Sequence, residues 1–263
     1  MYISVIIPVY NQYESLMYTL NGFKEQSFTS FEIIIVDDGS DDFIKNLSST
    51  EFSELTKKNV NVIHQKNEGR AVSRNVGLKH ASGDLVIFND ADRIPDKKLI
   101  ENYNKGAKQG KKIQIGVSLD YYGLKKEYLD RLDWVNIKKF SRSSRYFQKV
   151  VNVVDKEWKN IFEYPWLCFL VGNSCVEKSV FENVGKFDES FKDWGFEHFE
   201  LAYRMFEFGY DFYLNSDALN YHIPHPRGKD YYSEKIIYNI EKLISMHPDI
   251  EYEKISDIFK HFI

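Results

Sequence analysis

The chain has 263 residues, 43% of them hydrophobic and 28% charged, with a formal net charge of -4. That length carries one large α/β unit with a sizeable core, and the charge gives no overall attraction to nucleic acid, which is excluded as a partner. Two cysteines, Cys168 and Cys175, are too few for a disulfide framework or a zinc site, and no apolar run reaches the length that spans a bilayer.

The first residues, Met1-Tyr2-Ile3-Ser4-Val5-Ile6-Ile7-Pro8, lack the basic start of a signal peptide and read as a strand. A soluble cytoplasmic protein is expected, with peripheral attachment at the inner face of a membrane as the variant of that reading. Tyr13, Leu16, Met17, Leu20 and Phe23 recur at helical spacing, and an apolar run over 31–36 reads as the second strand. A helix through Phe43, Ile44 and Leu47, a strand over 60–64, a helix over 69–80 and a strand over 84–88 continue the alternation, which predicts a parallel sheet. Pro95 is expected in the first turn of a helix whose buried stripe is Leu99, Ile100, Tyr103 and Ala107. After a strand over 113–119, the stretch 125–149 is basic and aromatic without clear period. Its Lys138, Lys139, Arg142, Arg145 and Lys149 read best as a solvated face, with a phosphorylated or membrane-borne acceptor as the other use. Order returns with 171–176, a short helix through Val180 and Phe181, a helix over 197–208, two short strands over 212–214 and 219–221, and a helical tail.

The richest local signal is Asp90-Ala91-Asp92, directly after the apolar run Leu85-Val86-Ile87-Phe88. Residues two apart in extended backbone point the same way, so the two carboxylates can converge on one divalent cation together with a ligand's phosphates. A plain polar turn is the other reading. A second acidic group, Val36-Asp37-Asp38-Gly39-Ser40, closes the second strand. Both groups then share the carboxyl-end rim, where ligands of open α/β sheets lie, although the second is also a good turn followed by a helix cap. Neither glycine-rich phosphate loop occurs after the first strand, so phosphate falls to a metal.

Four segments in order carry a family resemblance: Val5-Ile6-Ile7-Pro8-Val9-Tyr10-Asn11, Val36-Asp37-Asp38-Gly39-Ser40-Asp41-Asp42, Asn67-Glu68-Gly69-Arg70-Ala71-Val72-Ser73-Arg74-Asn75, and Gly83-Asp84 running into Asp90-Ala91-Asp92. Together they resemble family 2 glycosyltransferases of the GT-A fold over nearly the whole chain. The resemblance implies an α/β fold with a mostly parallel central sheet flanked by helices. It divides the chain into a transferase domain over 1–228, with a nucleotide-sugar half over 1–110 and an acceptor half over 111–228, and a helical tail over 229–263. By the same resemblance Pro8, Tyr10 and Asn11 line the nucleotide pocket, Asp38 accepts from the base, Arg74 helps close the pocket, Asp90 approaches the ribose or the metal, and Asp92 ligates the metal.

Further on, Trp194-Gly195-Phe196-Glu197-His198-Phe199-Glu200-Leu201 is similar to the family's Trp-Gly-x-Glu-Asp-x-Glu-Leu segment, in which the Asp usually serves as catalytic base. His198 stands in its place. A neutral imidazole is competent to take a proton from a hydroxyl, and Glu197 is the rival base. Trp194 and Gly195 are the candidate sugar contacts, Trp194 being equally a cleft wall, and Glu200 is as well placed to pair with Arg204 one helical turn on. Tyr221-His222-Ile223-Pro224-His225 resembles the segment that returns a histidine to the metal in metal-dependent members, His222 first and His225 second. An imidazole beside two carboxylates suits Mn2+ better than Mg2+.

The resemblance thus implies a metal-dependent, inverting transfer of a sugar from a UDP-sugar to a hydroxyl of a glycan or lipid-linked acceptor in polysaccharide assembly. Because the expected Asp is missing at position 198, a catalytically silent nucleotide-sugar-binding subunit supporting a partner enzyme is the alternative.

Overall fold

A computed structural model describes residues 1–41, 59–123, 125–144, 147–148, 164–192, 195–224, 233–251 and 259. In chain order the first elements are β1 (Ile3–Val9), α1 (Tyr13–Lys24), β2 (Phe31–Asp37), β3 (Val60–His64), α2 (Arg70–His80), β4 (Leu85–Asn89), β5 (Arg93–Pro95) and α3 (Leu99–Lys108). There follow β6 (Ile113–Tyr121), α4 (Glu127–Asp130), α5 (Trp134–Lys139), β7 (Ser141–Ser143), β8 (Asn173–Glu177), α6 (Lys178–Val184), α7 (Glu197–Glu207), β9 (Phe212–His222) and α8 (Ser233–Met246).

These strands form one sheet in the order β3-β2-β1-β4-β8-β6-β9-β5, with β7 on the flank of β6. The pairings β1 with β2, β1 with β4, β2 with β3 and β6 with β9 are parallel and include the longest; β8, β7 and β5 run antiparallel to their neighbours. The α/β fold with a mostly parallel sheet is therefore as expected. β1, β2 and β4 are apolar because both faces are covered. On one face, Leu16, Leu20 and Phe23 of α1 and Leu99, Ile100 and Tyr103 of α3 pack on Ile3, Val5, Ile7 and Ile87. On the other, α2, α6, α7 and α8 contribute Leu78, Phe181, Leu201, Met205, Ile236 and Leu243 to a core around Phe88 and Trp166. The sheet lies between two helical layers.

Two local expectations are corrected. Pro95 lies in β5, not in a helix, and α3 begins four residues later at Leu99. β5 is an edge strand opposite Asn220 and Tyr221, and an edge tolerates a residue with no N–H to donate. The two short strands after α7 are one strand, β9. Its exposed middle, Ser216 and Asp217, breaks the apolar pattern where the register with β6 shifts between Gly116 and Val117. The expected helix through Phe43, Ile44 and Leu47, the side chains of Arg145 and Lys149, and the boundary at 228 lie outside the described residues.

The unpatterned stretch after β6 folds locally. Asp133 caps α5, accepting from the Asn136 backbone N–H, and Ile137 buries against Tyr221, Ile94 and Leu129. Lys138 pairs with Asp96 and Arg142 is exposed. Neither cysteine is in a disulfide and both are buried, and burial pushes the Cys168 thiol up to about 12. Among the described residues no helix is long and apolar enough to cross a membrane.

Candidate functional site

β1 is flanked by β2 on one side and β4 on the other, so the strand order reverses between β1 and β4. Ligand crevices of open α/β sheets form at such a switch. Asp90-Ala91-Asp92 follows β4 there. Thr19 of α1 donates its hydroxyl to the Ala91 carbonyl (2.8 Å), and Asn89 donates to the carbonyls of Asp90 (2.9 Å) and Arg93 (2.8 Å). Asn220 of β9 donates in turn to Asn89 (3.0 Å) and to the Gly172 carbonyl (2.9 Å), and accepts from Ser118 (2.7 Å). The turn is thereby held by a buried hydroxyl and by two fully buried amides paired with each other.

The two acids of the turn have different partners. Asp90 accepts from Arg74 (3.1 Å) and Arg93 (3.3 Å). Burial acts to raise its pKa, but these two guanidiniums outweigh it and hold the carboxyl below the usual value. Asp92 is 6% exposed, accepts from Gln12 (3.2 Å), and has His222 Nε2 3.6 Å from its Oδ2. β9 sets His222 opposite Arg93 of β5 on one side and Asp120 of β6 on the other. The His222 Nδ1 lies 2.8 Å from Asp120. Burial acts to lower the pKa of that imidazole, and the Asp120 and Asp92 carboxylates reverse it to a raised value.

Nearer β1 and β2, the rim carries the residues that the resemblance assigns to the nucleotide. Pro8 is half-buried in β1, and Tyr10 is 48% exposed just beyond it. Asn11 takes a left-handed φ of 51°, donates its backbone N–H to Ser40 (2.8 Å) and accepts from the Asp41 N–H (3.0 Å). Asp38 is 5% exposed and already accepts three hydrogen bonds, from Gln65 (2.7 Å), the Glu68 N–H (3.0 Å) and the Gly69 N–H (2.9 Å). Its carboxylate therefore fastens the 65–69 loop to the end of β2.

Across the crevice, α7 opens with Glu197 and His198. Gly195 and Phe196 before it have φ of 91° and 71°. A Cβ on Gly195 would meet nothing within 4 Å, so its left-handed backbone, not a close approach, is what calls for glycine. Phe196 is held in that conformation by burial against Phe199 and Phe259, at ring distances of 5.3 and 5.2 Å. Glu197 is 2% exposed and accepts from Arg74 Nη1 at 2.7 Å. Burial acts to raise its pKa, but the His198 ring and the guanidiniums of Arg74 and Arg70 hold it well below the carboxylate range. Glu200 does not face this crevice: it pairs with Arg204 (2.7 Å) one turn on and with His247 (3.1 Å).

A cavity of about 370 Å³ gathers Arg74, Asp90, Asp120, Glu197, His198 and His222, with Gly195 at its edge. Asp92 does not line it but stands 3.6 Å from His222, which does. Pro8, Tyr10, Asn11 and Asp38 lie on a neighbouring part of the rim, while Trp194 and His225 fall outside the described residues. Sequence reasoning missed Asp120, Arg93, Gln12 and Gly172. At the last a Cβ would stand 2.3 Å from Arg93 Nε and 2.7 Å from Asp90 Oδ2, so glycine lets these two side chains pack against its backbone. No spacing rule pairs residues 102 positions apart, as Asp120 and His222 are.

Among the described residues no three His, Cys, Asp or Glu side chains form a self-sufficient metal cage. The donor set nonetheless suits a cation shared with a ligand. A carboxylate and an imidazole nitrogen stand 3.6 Å apart, and Asp120 orients the ring through its other nitrogen, the usual support of a histidine ligand.

A strand tipped with acids at the switch point, facing an acid–imidazole pair on a second helix, is the layout of a GT-A-type transferase. The chain belongs to glycosyl transferase family 2, whose sequence profile matches residues 4–162. AmsB, an amylovoran biosynthesis glycosyltransferase of Erwinia amylovora, is 30% identical over 261 residues, which cover 94% of this chain and 78% of AmsB. YfnE, an uncharacterized glycosyltransferase of Bacillus subtilis, is 28% identical over 256 residues, 85% of this chain, which spans only 65% of YfnE. The S. aureus TarS 1–349 structure in complex with UDP-GlcNAc matches 100% of this chain and 71% of that one, with a TM-score of 0.65 at 18% identity, which is a likeness of fold.

Proposed function

We propose that this protein transfers a sugar from a UDP-sugar to a hydroxyl of a growing glycan with inversion at the anomeric carbon, and that a divalent cation, Mn2+ before Mg2+, joins the donor at Asp92 and His222. The observation that carries this reading is the single cavity bordered by His222, paired with Asp92, and by His198 at the start of α7. AmsB by its name and TarS by its bound UDP-GlcNAc support a nucleotide-sugar donor and a polysaccharide product.

When bound, the cation supplies positive charge that stabilises the departing diphosphate. Asp92 and the Asp120-oriented His222 hold that end of the donor, and Arg74 keeps Asp90 ionised at the ribose side. His198 takes the proton from the acceptor hydroxyl as its oxygen attacks the anomeric carbon and the bond to the diphosphate breaks. Glu197 is less suited to that task, since a carboxylate buried in an ion pair with Arg74 is a weak base.

Calorimetric titration of UDP and UDP-sugars, with Mn2+ and with EDTA, tests the donor half of the reading. Tight binding with Mn2+ is expected to weaken at least tenfold with EDTA or in Asp92→Ala, and equal affinity in all cases would refute the metal role. Donor hydrolysis or transfer that His198→Ala abolishes is the expected turnover. Binding without any turnover points instead to the silent subunit.

A further inference from the structure

We infer that Glu197 is a positioning residue for His198: anchored by Arg74, its carboxylate holds the His198 Nδ1–H and leaves Nε2 bare toward the cavity. The inference rests on the proposed transfer reaction and supplies what the replacement of an aspartate by a histidine at position 198 requires.

An aspartate at that position needs no tautomer, whereas an imidazole acts as a base only through the nitrogen that lacks a proton. The His198 Nδ1 is buried without a hydrogen-bond partner and stands 3.6 Å from Glu197 Oε1. Glu197 Oε2 is likewise buried with no partner. A buried donor left unmade is costly, and a small rotation of the ring that closes the 3.6 Å gap pairs Nδ1–H with Oε1, the nearer oxygen of this carboxylate. The ring has little other freedom: its side chain is 14% exposed and its centroid lies 4.0 Å from that of Phe199. With Nδ1 inside, the edge toward the cavity is the one that carries Nε2.

The carboxylate is fixed independently. Arg74, 1% exposed, spans from Asp90 to Glu197, so Glu197 stays ionised and in place whether or not the ring is charged. In the transfer step the acceptor O–H proton moves to Nε2, the new C–O bond forms and the bond to the diphosphate breaks. The Nδ1 proton does not move, and the imidazolium that results is paired with Glu197. The other charged groups that face His198 across the cavity are Arg70, Arg74, Asp90, Arg93, Asp120 and His222. Glu197 is the carboxylate within 4 Å of its ring among the ion pairs of the described residues.

The test is the 15N spectrum of the full-length protein labelled at histidine, at a pH where the ring is neutral, with neither donor nor metal present. His198 is assigned from the signal lost in His198→Gln. A protonated Nδ1 and a bare Nε2 are expected, and an Nε2–H ring or an even mixture would overturn the inference. In Glu197→Gln the tautomer preference should be lost and kcat should fall about a hundredfold, the scale of general-base catalysis, while KM for the donor stays within about twofold. Unchanged kcat in that variant would equally overturn it. If Glu197→Gln does not fold, the spectrum of the unaltered protein decides. An Nδ1–H ring in a protein that turns over no donor counts against the transfer reaction and not against the pairing.

Discussion

Arg74 of α2 and Glu197 of α7, 123 residues apart in sequence, meet at 2.7 Å with both side chains almost wholly buried. The same guanidinium reaches Asp90, so one arginine ties the Asp90-Ala91-Asp92 turn to the helix that begins with Glu197 and His198. A cation so enclosed is tolerable only because two carboxylates neutralise it.

Arg74→Met should therefore leave two carboxylates facing a cavity without their counter-charge. A loss of about 3–5 kcal/mol in unfolding free energy is expected, the range for breaking a buried ion pair. Equilibrium urea denaturation measures it, and a change under about 1 kcal/mol would show that water already screens the pair.

Gly172→Ala tests the closeness of the 172 backbone to Asp90. The added methyl would overlap Arg93 Nε and Asp90 Oδ2, so these two side chains must shift. UDP affinity is expected to fall at least tenfold, against a stability loss of about 1–3 kcal/mol from overpacking. Calorimetry and denaturation on the same preparation separate the two effects.

Glu32 gives a pH dependence far from the site. It accepts from Ser4 (2.7 Å), from the Ser82 N–H (2.8 Å) and from the Ser82 hydroxyl (2.6 Å), joining β1, β2 and the turn before β4. Partial burial acts to raise its pKa, but the hydrogen bonds from Ser82 and Ser4 win and lower it. A carboxyl with a lower pKa when folded stabilises the protein above its unfolded value, about 4.3, and the gain is lost as pH falls through the folded value. Glu32→Gln should be less stable than the parent at neutral pH, and the difference should shrink as pH falls below the unfolded value and through the lowered folded one. A difference that persists in acid would assign it to packing.

Much of the first half of the chain was legible because its strands are buried on both faces and read as apolar runs ending in acids. β1, β2, β4, α1 and α2 stand where the periodicity puts them. Of the two readings open for Glu200, the structure shows the pair with Arg204 that helical spacing offered. What was hidden depends on pairing between distant strands. Nothing local in Asp120 or Arg93 marks them as neighbours of His222, and an exposed Ser216-Asp217 reads as the end of a strand that in fact continues. Pro95 was misplaced because proline suits both a helix start and an edge strand, and only the presence of β9 beside it decides between them.

The register shift in β9 has a consequence for how this half of the molecule tolerates change in length. Had the pairing of Ile113 with Phe212 run on without interruption, Asp120 would sit opposite Leu219; the extra residues Ser216, Asp217 and Ala218 move His222 there instead. Deleting one of these three would act like a frameshift in side chains, with its effect felt five or so positions downstream where the imidazole belongs. The loop-like stretch least suggestive of a role is thus the spacer that calibrates the acid–imidazole contact.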